Sequence, residues 1–299
     1  MRVKINKKAS FFVECILYDS NAKADLEDPS NNNTEEKEFL SNVPYANVTE
    51  ALSMFKDDDL IAEPGKKFSY TTHGFTLASA VLEKASGKEF KKLVEDLTFQ
   101  LGMRHTTLDV NKRVIPNRTK QVAILLFCYV EVSCDSVCFS YYMRNDKHTL
   151  ENCPEVDNSY KWAGGGILSD VADLLTFANA ILYSHQASPN SKDAYLKKEV
   201  IGLLWKGEAT VNSRIMAGLG WMRVNRDDFG GAHRSSSLGG LWYHTGSAVG
   251  ASSVLLIRPT TNRSAQNTPP SGVCVAMLCN LQDTSLLNLA KEVEEIFRE

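Results

Sequence analysis

The chain has no excess of charge of either sign. Its 299 residues include 33 Lys and Arg against 36 Asp and Glu, and its calculated isoelectric point is near 6.1. A protein that binds nucleic acid or an anionic membrane surface through its charge usually carries a basic patch or a basic balance. We therefore expect neither partner. The 43% of hydrophobic residues are enough for a folded core.

Paired cysteines and long apolar runs are also missing. The seven cysteines are scattered without Cys-x-x-Cys spacing, which argues against a disulfide framework and a structural zinc site and favours a reducing compartment. The apolar run from Ala9 to Tyr18 is short compared with the about 20 residues that span a membrane, and it contains Glu14. We therefore predict no membrane span and identify no targeting peptide.

Several common catalytic motifs do not occur in the sequence. It has no Gly-x-Ser-x-Gly elbow, no His-Glu-x-x-His, no Walker A and no Gly-x-Gly-x-x-Gly loop between a strand and a helix. No motif in the sequence thus supports a metal-dependent or nucleotide-dependent enzyme. We expect no cofactor and no metal ion.

The distribution of polar residues divides the chain into two predicted parts. Residues 19–38 are polar and acidic with little to bury, so we predict a divergent polar leader over residues 1–45 that is disordered in part. Residues 46–299 form the predicted domain. Inside it, residues 122–140 are strongly apolar and interrupt a polar passage. We interpret them as an insertion, and we hypothesise that they are translated from an unspliced intron.

Apolar residues recur at helical spacing in five segments. The predicted helices cover residues 48–55, 75–85, 90–101, 171–182 and 286–297. Gly87 and Gly102 end the second and third helices, and Ser169 is the predicted N-cap of the fourth. The final third of the chain changes to β-rich runs at residues 220–224, 241–244, 251–257 and 273–281. These runs predict an antiparallel sheet against which the last helix packs.

Three short motifs could carry chemistry: Tyr70 at a helix entrance, Trp162-Ala163-Gly164-Gly165-Gly166 before a helix, and Tyr243-His244-Thr245-Gly246 at the end of a strand. The positive end of a helix dipole favours a phenolate, so Tyr70 suits a general base. After a Thr-Gly step, the N–H of Ser247 can point into a cleft as an oxyanion donor. Each motif also has a purely structural explanation: a packed tyrosine, a tight glycine turn and a hydrogen-bonded histidine.

The order and context of these motifs resemble the superfamily of class C β-lactamases, penicillin-binding proteins, D-peptidases and esterases. The likeness extends from about Ser53 to the C-terminus, apart from the insertion, and it is greatest to the animal mitochondrial serine β-lactamase-like members. It is carried by the stretch Asp157-Asn158-Ser159-Tyr160-Lys161-Trp162-Ala163-Gly164-Gly165-Gly166 and by the stretch Ser247-Ala248-Val249-Gly250-Ala251-Ser252-Ser253-Val254-Leu255-Leu256.

The resemblance implies an α/β fold in which an antiparallel sheet is flanked by helices and stands beside a mainly helical subdomain that holds Tyr70. The family adds two N-terminal strands beside its last C-terminal strand. Those strands are absent here unless residues 9–18 supply one, so the expected fold is incomplete at the N-terminus. Residues 273–281 would then form an exposed apolar edge, and we expect poor solubility.

The resemblance also assigns roles to individual residues. Tyr70 occupies the place of the tyrosine in the Tyr-x-Asn motif, the proposed base or proton shuttle, and Thr72 stands where that motif has Asn. His244-Thr245-Gly246 replaces Lys-Thr-Gly, and the Ser247 N–H supplies half of the oxyanion hole. A neutral or partly charged histidine binds a substrate carboxylate less firmly than lysine does. Penicillin-type substrates are therefore less favoured.

The nucleophile of this superfamily comes from a Ser-x-x-Lys motif at the start of a buried helix, several tens of residues before the tyrosine. Two literal matches begin at Ser20 and Ser53. The first lies in polar chain, and the second is only 17 residues before Tyr70 on a surface-like amphipathic helix. Neither is a credible nucleophile.

Two functions remain open from the sequence. The first is a serine hydrolase, peptidase-like or esterase-like, that forms an acyl-enzyme with a small peptide or ester, and of which this chain is a truncated form. The second is a non-catalytic binding or filament-forming scaffold of the same family, which would be a homo-oligomer. The resemblance implies a mitochondrial location in either case; without it, the cytoplasm is the default.

Overall fold

The computed structural model describes residues 40–60, 63, 71–119, 141–188, 191–224, 240–260 and 271–298. Ser20, Tyr70 and the predicted insertion at residues 122–140 lie outside these ranges, as does all of the predicted leader before Leu40. Within the ranges, no helix is long and apolar enough to cross a membrane.

The first three helices begin and end at the local signals that the sequence contains. They are α1 (Val48–Ala51), α2 (Thr72–Ser86) and α3 (Phe90–Leu101), and a 3₁₀ turn at Leu52–Met54 follows α1. The Thr71 hydroxyl accepts the His73 N–H at the start of α2. Gly87 and Gly102 end α2 and α3 with φ angles of 69° and 74°, a left-handed conformation that glycine adopts without steric cost. The predicted ends of these two helices are confirmed.

Four further helices complete the set in the described ranges: α4 (Trp162–Gly165), α5 (Val171–Gln186), α6 (Lys198–Leu204) and α7 (Leu287–Phe297). The predicted N-cap of α5 was wrong by one residue. Asp170 is the cap, because its carboxylate accepts the Asp173 N–H at 2.8 Å, whereas the Ser169 hydroxyl bonds to the Thr106 hydroxyl at 2.8 Å. The apolar residues of this helix were predicted to be buried, but the first of them, Val171, is exposed.

The main sheet has six antiparallel strands in the order β10-β9-β8-β7-β6-β5. Their bounds are β5 (Ala209–Thr210), β6 (Ile215–Ala217), β7 (Met222–Val224), β8 (Leu241–Ala248), β9 (Ala251–Pro259) and β10 (Gly272–Cys279). The predicted antiparallel sheet is confirmed. Strands β5 and β6 were missed, because two or three residues are too few to show a period.

Two helices cover the two faces of this sheet. On one face, α5 contributes Ala178, Ile181 and Leu182 to a core that includes Trp242 and Ile257. On the other face, α7 packs on β9 and β10 and buries Ala290. The Glu294 carboxylate, which is fully buried, forms an ion pair with the Arg258 guanidinium of β9 at 2.6 Å and so holds the helix on the sheet.

Two small sheets lie outside the main one. Strand β1 (Thr107–Leu108) pairs with β4 (Ile167–Leu168), and β2 (Tyr142–Arg144) pairs with β3 (Leu150–Asn152). The first pair fixes the chain between α4 and α5. The structural alternative for the glycine motif was a tight turn; the structure instead has one turn of helix, α4, and then β4 between Trp162 and α5.

Candidate active site

The N-terminus of α2 packs directly on the glycine motif. A Cβ atom added at Gly164 would lie 3.0 Å from the Cβ of Thr72, so the close approach of the two segments needs glycine. Further along α2, the Thr76 hydroxyl donates to the Tyr160 carbonyl at 2.8 Å. These contacts hold Thr72, the residue that stands in place of the family's Asn, against α4.

Asp109 holds the glycine motif in place through hydrogen bonds to its two ends. Its carbonyl accepts the Trp162 indole N–H at 2.9 Å, and its carboxylate accepts the Asn158 amide at 2.8 Å. The same carboxylate pairs with the Arg118 guanidinium at 2.7 Å, and the Asp109 N–H donates to the Gly166 carbonyl at 2.8 Å. The three hydrogen bonds to residues 158–166 fix the orientation of α4, and the Arg118 pair balances the charge of the carboxylate.

The His-Thr-Gly motif lies inside strand β8, and its predicted position at the end of a strand was wrong. β8 continues to Ala248 because Ala248 still pairs with Ala251 of β9. On the other side, β7 pairs with β8 only from Leu241 to Tyr243. Beyond Tyr243, no described strand pairs with that side of β8.

The hydrogen-bond alternation of the sheet determines where Ser247 points its N–H. In an antiparallel ladder, residues whose backbone groups face one neighbour alternate with residues that face the other. The Thr260 N–H donates to the Ser271 carbonyl, so this pair faces inward between β9 and β10. Thr260 directs its backbone groups to β10, so the odd-numbered residues of β9, Ser253 among them, direct theirs to β8. Gly246 is paired with Ser253 and therefore directs its own N–H and C=O to β9. Ser247 therefore directs its N–H away from β9, toward the open side of β8.

Gly246 leaves room for the Ser253 side chain on the neighbouring strand. A Cβ atom at this position would collide with the Ser253 hydroxyl oxygen on the neighbouring strand. Thr245 and Ser247, on either side of it, are exposed. The motif thus keeps the two strands close while it presents its flanking residues to solvent.

His244 is half-buried, and its Nδ1 atom lies 2.7 Å from the Thr245 carbonyl oxygen. A carbonyl can only accept, so Nδ1 carries the proton, and Nε2 is the basic nitrogen of the neutral ring. Burial lowers the pKa of His244 below its ordinary value, although the bond to the Thr245 carbonyl opposes that effect. Burial therefore favours the uncharged ring over the charged one.

Helix α4 contacts β8 as well as α2, so the structure brings Thr72, the glycine motif and the His-Thr-Gly strand together. Tyr70, two residues before Thr72, lies outside the described residues. The arrangement can offer an oxyanion donor from Ser247 on the same strand as a neutral histidine.

Ser53 and Lys56, the second match to Ser-x-x-Lys, do not form a pair in the structure. The Ser53 hydroxyl is exposed and donates to the Glu50 carbonyl at 2.6 Å. The Lys56 amine is also exposed and lies 4.0 Å from the Asp57 carboxylate. Nothing here activates the hydroxyl, because its proton is engaged with a carbonyl.

Sequence reasoning missed Lys161, immediately before the glycine motif. Its side chain is almost completely buried, with 2% of the residue exposed, and its amine lies 5.0 Å from the centroid of the Tyr160 ring. Burial lowers the pKa of the lysine to about 8. No signal in the sequence separates it from an ordinary surface lysine.

One group in the described ranges has the composition of a metal site: His105, Asp170 and Asp173. The carboxylate oxygens of this group already take part in hydrogen bonds within the protein. The Asp170 carboxylate lies 2.6 Å from His105 Nδ1, and the Asp173 carboxylate accepts the His105 N–H and the Thr106 hydroxyl, each at 2.7 Å. The group caps the start of α5 and joins it to the chain before β1.

Comparison with known proteins shows which family the sequence matches. The family model described as Beta-lactamase matches residues 19–295. The serine beta-lactamase-like protein LACTB, mitochondrial, of Bos taurus is 34% identical, and the match covers 97% of this chain and 51% of the relative. The chain thus spans about half the length of the bovine protein.

Two solved structures share the fold at low sequence identity. A penicillin-binding protein from Bacillus halodurans superposes with a TM-score of 0.62 at 15% identity, covering 97% of this chain and 73% of that one. A D-stereospecific amidohydrolase from Streptomyces sp. gives 0.60 at 17% identity, covering 95% and 70%. The fold is therefore the β-lactamase/transpeptidase-like one that the sequence predicted, and the chain belongs to the beta-lactamase family.

Proposed function

We propose that this chain forms part of a serine hydrolase that acts through an acyl-enzyme on a small peptide or an ester. A serine Oγ attacks the substrate carbonyl carbon, and the C–N or C–O bond to the leaving group breaks as that group takes a proton. Water then attacks the acyl-enzyme and releases the acid and the free serine. Tyr70 and His244 move the protons, and the Ser247 N–H binds the oxyanion.

The observation that carries this proposal is the direction of the Ser247 N–H. It points to the open side of β8, three residues after His244, and α4 contacts the same strand. A backbone N–H fixed by a sheet needs no reorganisation when negative charge develops on an oxygen.

The proposal places the nucleophile outside the described residues and treats the chain as a truncated form of the enzyme. The Ser53 hydroxyl is committed to the Glu50 carbonyl, and Lys56 lies with Asp57. The bovine relative is named as a mitochondrial protein, and we propose the same compartment for this chain.

Substrate preference follows from the two departures from the family pattern. Thr72 lacks the amide that binds an acyl side chain, and a neutral His244 attracts a carboxylate less than lysine does. Esters and uncharged peptides are therefore favoured over penicillins. A Thr72→Asn variant should shift preference toward substrates with a polar acyl side chain.

A fluorophosphonate probe tests the proposal. The 299-residue chain and a form extended at its N-terminus by a Ser-x-x-Lys helix of this family are incubated with the probe, and adducts are located by peptide mass spectrometry. We expect labelling of the added serine only. His244→Ala should slow that labelling at least tenfold by removing a base. Labelling of Ser20 or Ser53, abolished by the matching alanine variant, would locate the nucleophile within the chain instead.

A second function, a non-catalytic self-associating scaffold, is favoured by one observation. The outer strand of the sheet is apolar, and α7 exposes Leu289, Ile296 and Phe297. Electron microscopy of the purified protein checks it: regular filaments support a scaffold, whereas particles no larger than a dimer contradict filament formation.

A further inference from the structure

The turn that follows Ser247 is held by a side chain from another part of the sequence. Strands β8 and β9 form a hairpin with a two-residue loop, because Ala248 pairs with Ala251. In this loop the Gly250 N–H donates to the side-chain oxygen Oε1 of Gln282 at 3.2 Å. Gln282 follows β10 and belongs to neither strand of the hairpin. The end of the strand that carries the oxyanion donor is therefore held from outside the hairpin.

The short segment around Gln282 also holds the start of β9. The Ser252 hydroxyl accepts the Thr284 N–H at 3.0 Å and donates to the Leu281 carbonyl at 2.8 Å. Ser252 is the residue that pairs with Ser247 across the hairpin. Residues 281–284 thus hold the hairpin at two points, its turn and the residue opposite Ser247.

Gln282 is itself fixed by the small sheet of β2 and β3. Its N–H donates to the Tyr142 carbonyl at 2.8 Å, and the Tyr142 N–H donates to the Asn280 carbonyl at 2.9 Å. The Cys153 sulfur, just after β3, lies 4.0 Å from the same Oε1 atom. A Cβ atom at Gly250 would lie 2.9 Å from that sulfur, so the turn packs closely on this sheet. The Gln282 side chain therefore joins the turn to a fixed support.

The chain leads directly from this support to the glycine motif. Val156 is buried and forms a small core with Val249 of the turn. The Val156 carbonyl accepts the Asn111 amide at 3.1 Å. Asn158, two residues later, starts the 3₁₀ turn that leads into α4. The same few residues thus connect the end of β8 to α4, the two walls between which we place the substrate.

We propose that Gln282 is a positioning residue for the oxyanion donor Ser247. This inference rests on the proposed function, which gives the Ser247 N–H its role. The end of a hairpin opens more readily than the middle of a sheet, and on its other side β8 pairs with β7 only as far as Tyr243. Gln282 holds the Gly250 N–H and so keeps the last residues of β8 on β9. The Ser247 N–H then keeps its direction before charge develops on the substrate, which is the condition for an effective oxyanion donor.

Amide hydrogen exchange in the 299-residue chain tests whether Gln282 restrains the hairpin. The N–H groups of Gly246 and Ala248 are directed to β9, so they report on this end of the strand. Gln282→Met removes the acceptor and keeps the length of the side chain. We expect exchange at both amides to become about fivefold faster, the effect of one lost hydrogen bond. Gln282→Glu keeps an oxygen at the same place and should restore the native rates.

The neighbouring Asp283 provides the matched control. Its carboxylate accepts the Gln282 Nε2 group at 3.2 Å and does not touch the turn. Asp283 has a φ angle of 55°, a left-handed conformation that asparagine also adopts readily, so Asp283→Asn should keep the backbone. We expect native exchange rates in this variant. Unchanged rates in Gln282→Met, or equal increases in Gln282→Met and Asp283→Asn, would overturn the inference.

A titration with phenylacetate tests the link to the site. A carboxylate oxygen of this probe stands in for the oxyanion, and the amide proton resonance of Ser247 reports the hydrogen bond to it. We expect Gln282→Met to bind about threefold more weakly than the native chain and Asp283→Asn to bind no more weakly. A merely structural role would leave the affinity of the folded variant unchanged. If the native Ser247 resonance does not respond, the proposed function fails and this role with it; equal affinities in the native chain and Gln282→Met overturn this role alone.

Discussion

Replacement of Lys161 by methionine should stabilise the protein at neutral pH. Burial lowers the pKa of this lysine from 10.5 to about 8, and each unit is worth about 1.4 kcal/mol. The buried ammonium therefore costs the folded state up to about 3 kcal/mol at pH 7. The Tyr160 ring, 5.0 Å from the amine, returns part of this through a cation–π contact that the methionine lacks.

The pH dependence distinguishes this effect from a change in packing. The unfolded chain binds the extra proton up to about pH 10.5, whereas the folded chain releases it near pH 8. The cost of Lys161 is thus full below pH 8 and disappears as the pH rises to 10.5. Urea unfolding followed by tryptophan fluorescence should show the gain from Lys161→Met shrinking over that window. Lys91→Met, at an exposed lysine, should show no such trend. A gain that is constant from pH 7 to pH 10.5 would refute the reasoning.

Two further substitutions test contacts in the sheet. Gly246→Ala should lower the free energy of unfolding by about 2 kcal/mol through the collision with Ser253, and a second change, Ser253→Ala, should restore most of it because the colliding oxygen is gone. Glu294→Gln should cost about 3 kcal/mol, since it leaves the Arg258 guanidinium largely buried without its counter-charge. The control Glu295→Gln, at an exposed carboxylate, should change stability by less than about 0.5 kcal/mol. Thermal or chemical denaturation measures all of them, and equal losses in Glu294→Gln and Glu295→Gln would contradict the argument.

Much of the fold could be predicted because its signals are local. The C-terminal end of α3 is set by Gly102, whose left-handed conformation few other residues adopt. The apolar spacing that begins at Phe90 gave the other end, so the predicted range of residues 90–101 agrees with the structure. The N-cap of α5 was missed because Ser169 and Asp170 are both good caps. Only the position of Thr106, 63 residues before Ser169 in the chain, decides between them.

The site was less predictable, because its geometry depends on pairing between distant strands. The sequence showed that His244, Thr245 and Gly246 form a motif, but the direction of the Ser247 N–H follows from the register with β9. Lys161 could not be found at all, since a lysine is exposed by default and its burial is a tertiary property.

The contacts that hold α2, α4 and strand β8 in place do not involve a nucleophile. Asp109 fixes α4, the Thr76 hydroxyl fixes α2 against Tyr160, and the register with β9 fixes Ser247. Each is made between residues that the structure describes, so the Ser247 N–H and the His244 ring keep their places whether or not a serine faces them. Loss of the nucleophile should therefore abolish acyl transfer and leave the site wall intact. The proposed function thus predicts that a chain without its nucleophile still binds an acyl group or an ester at the open side of β8.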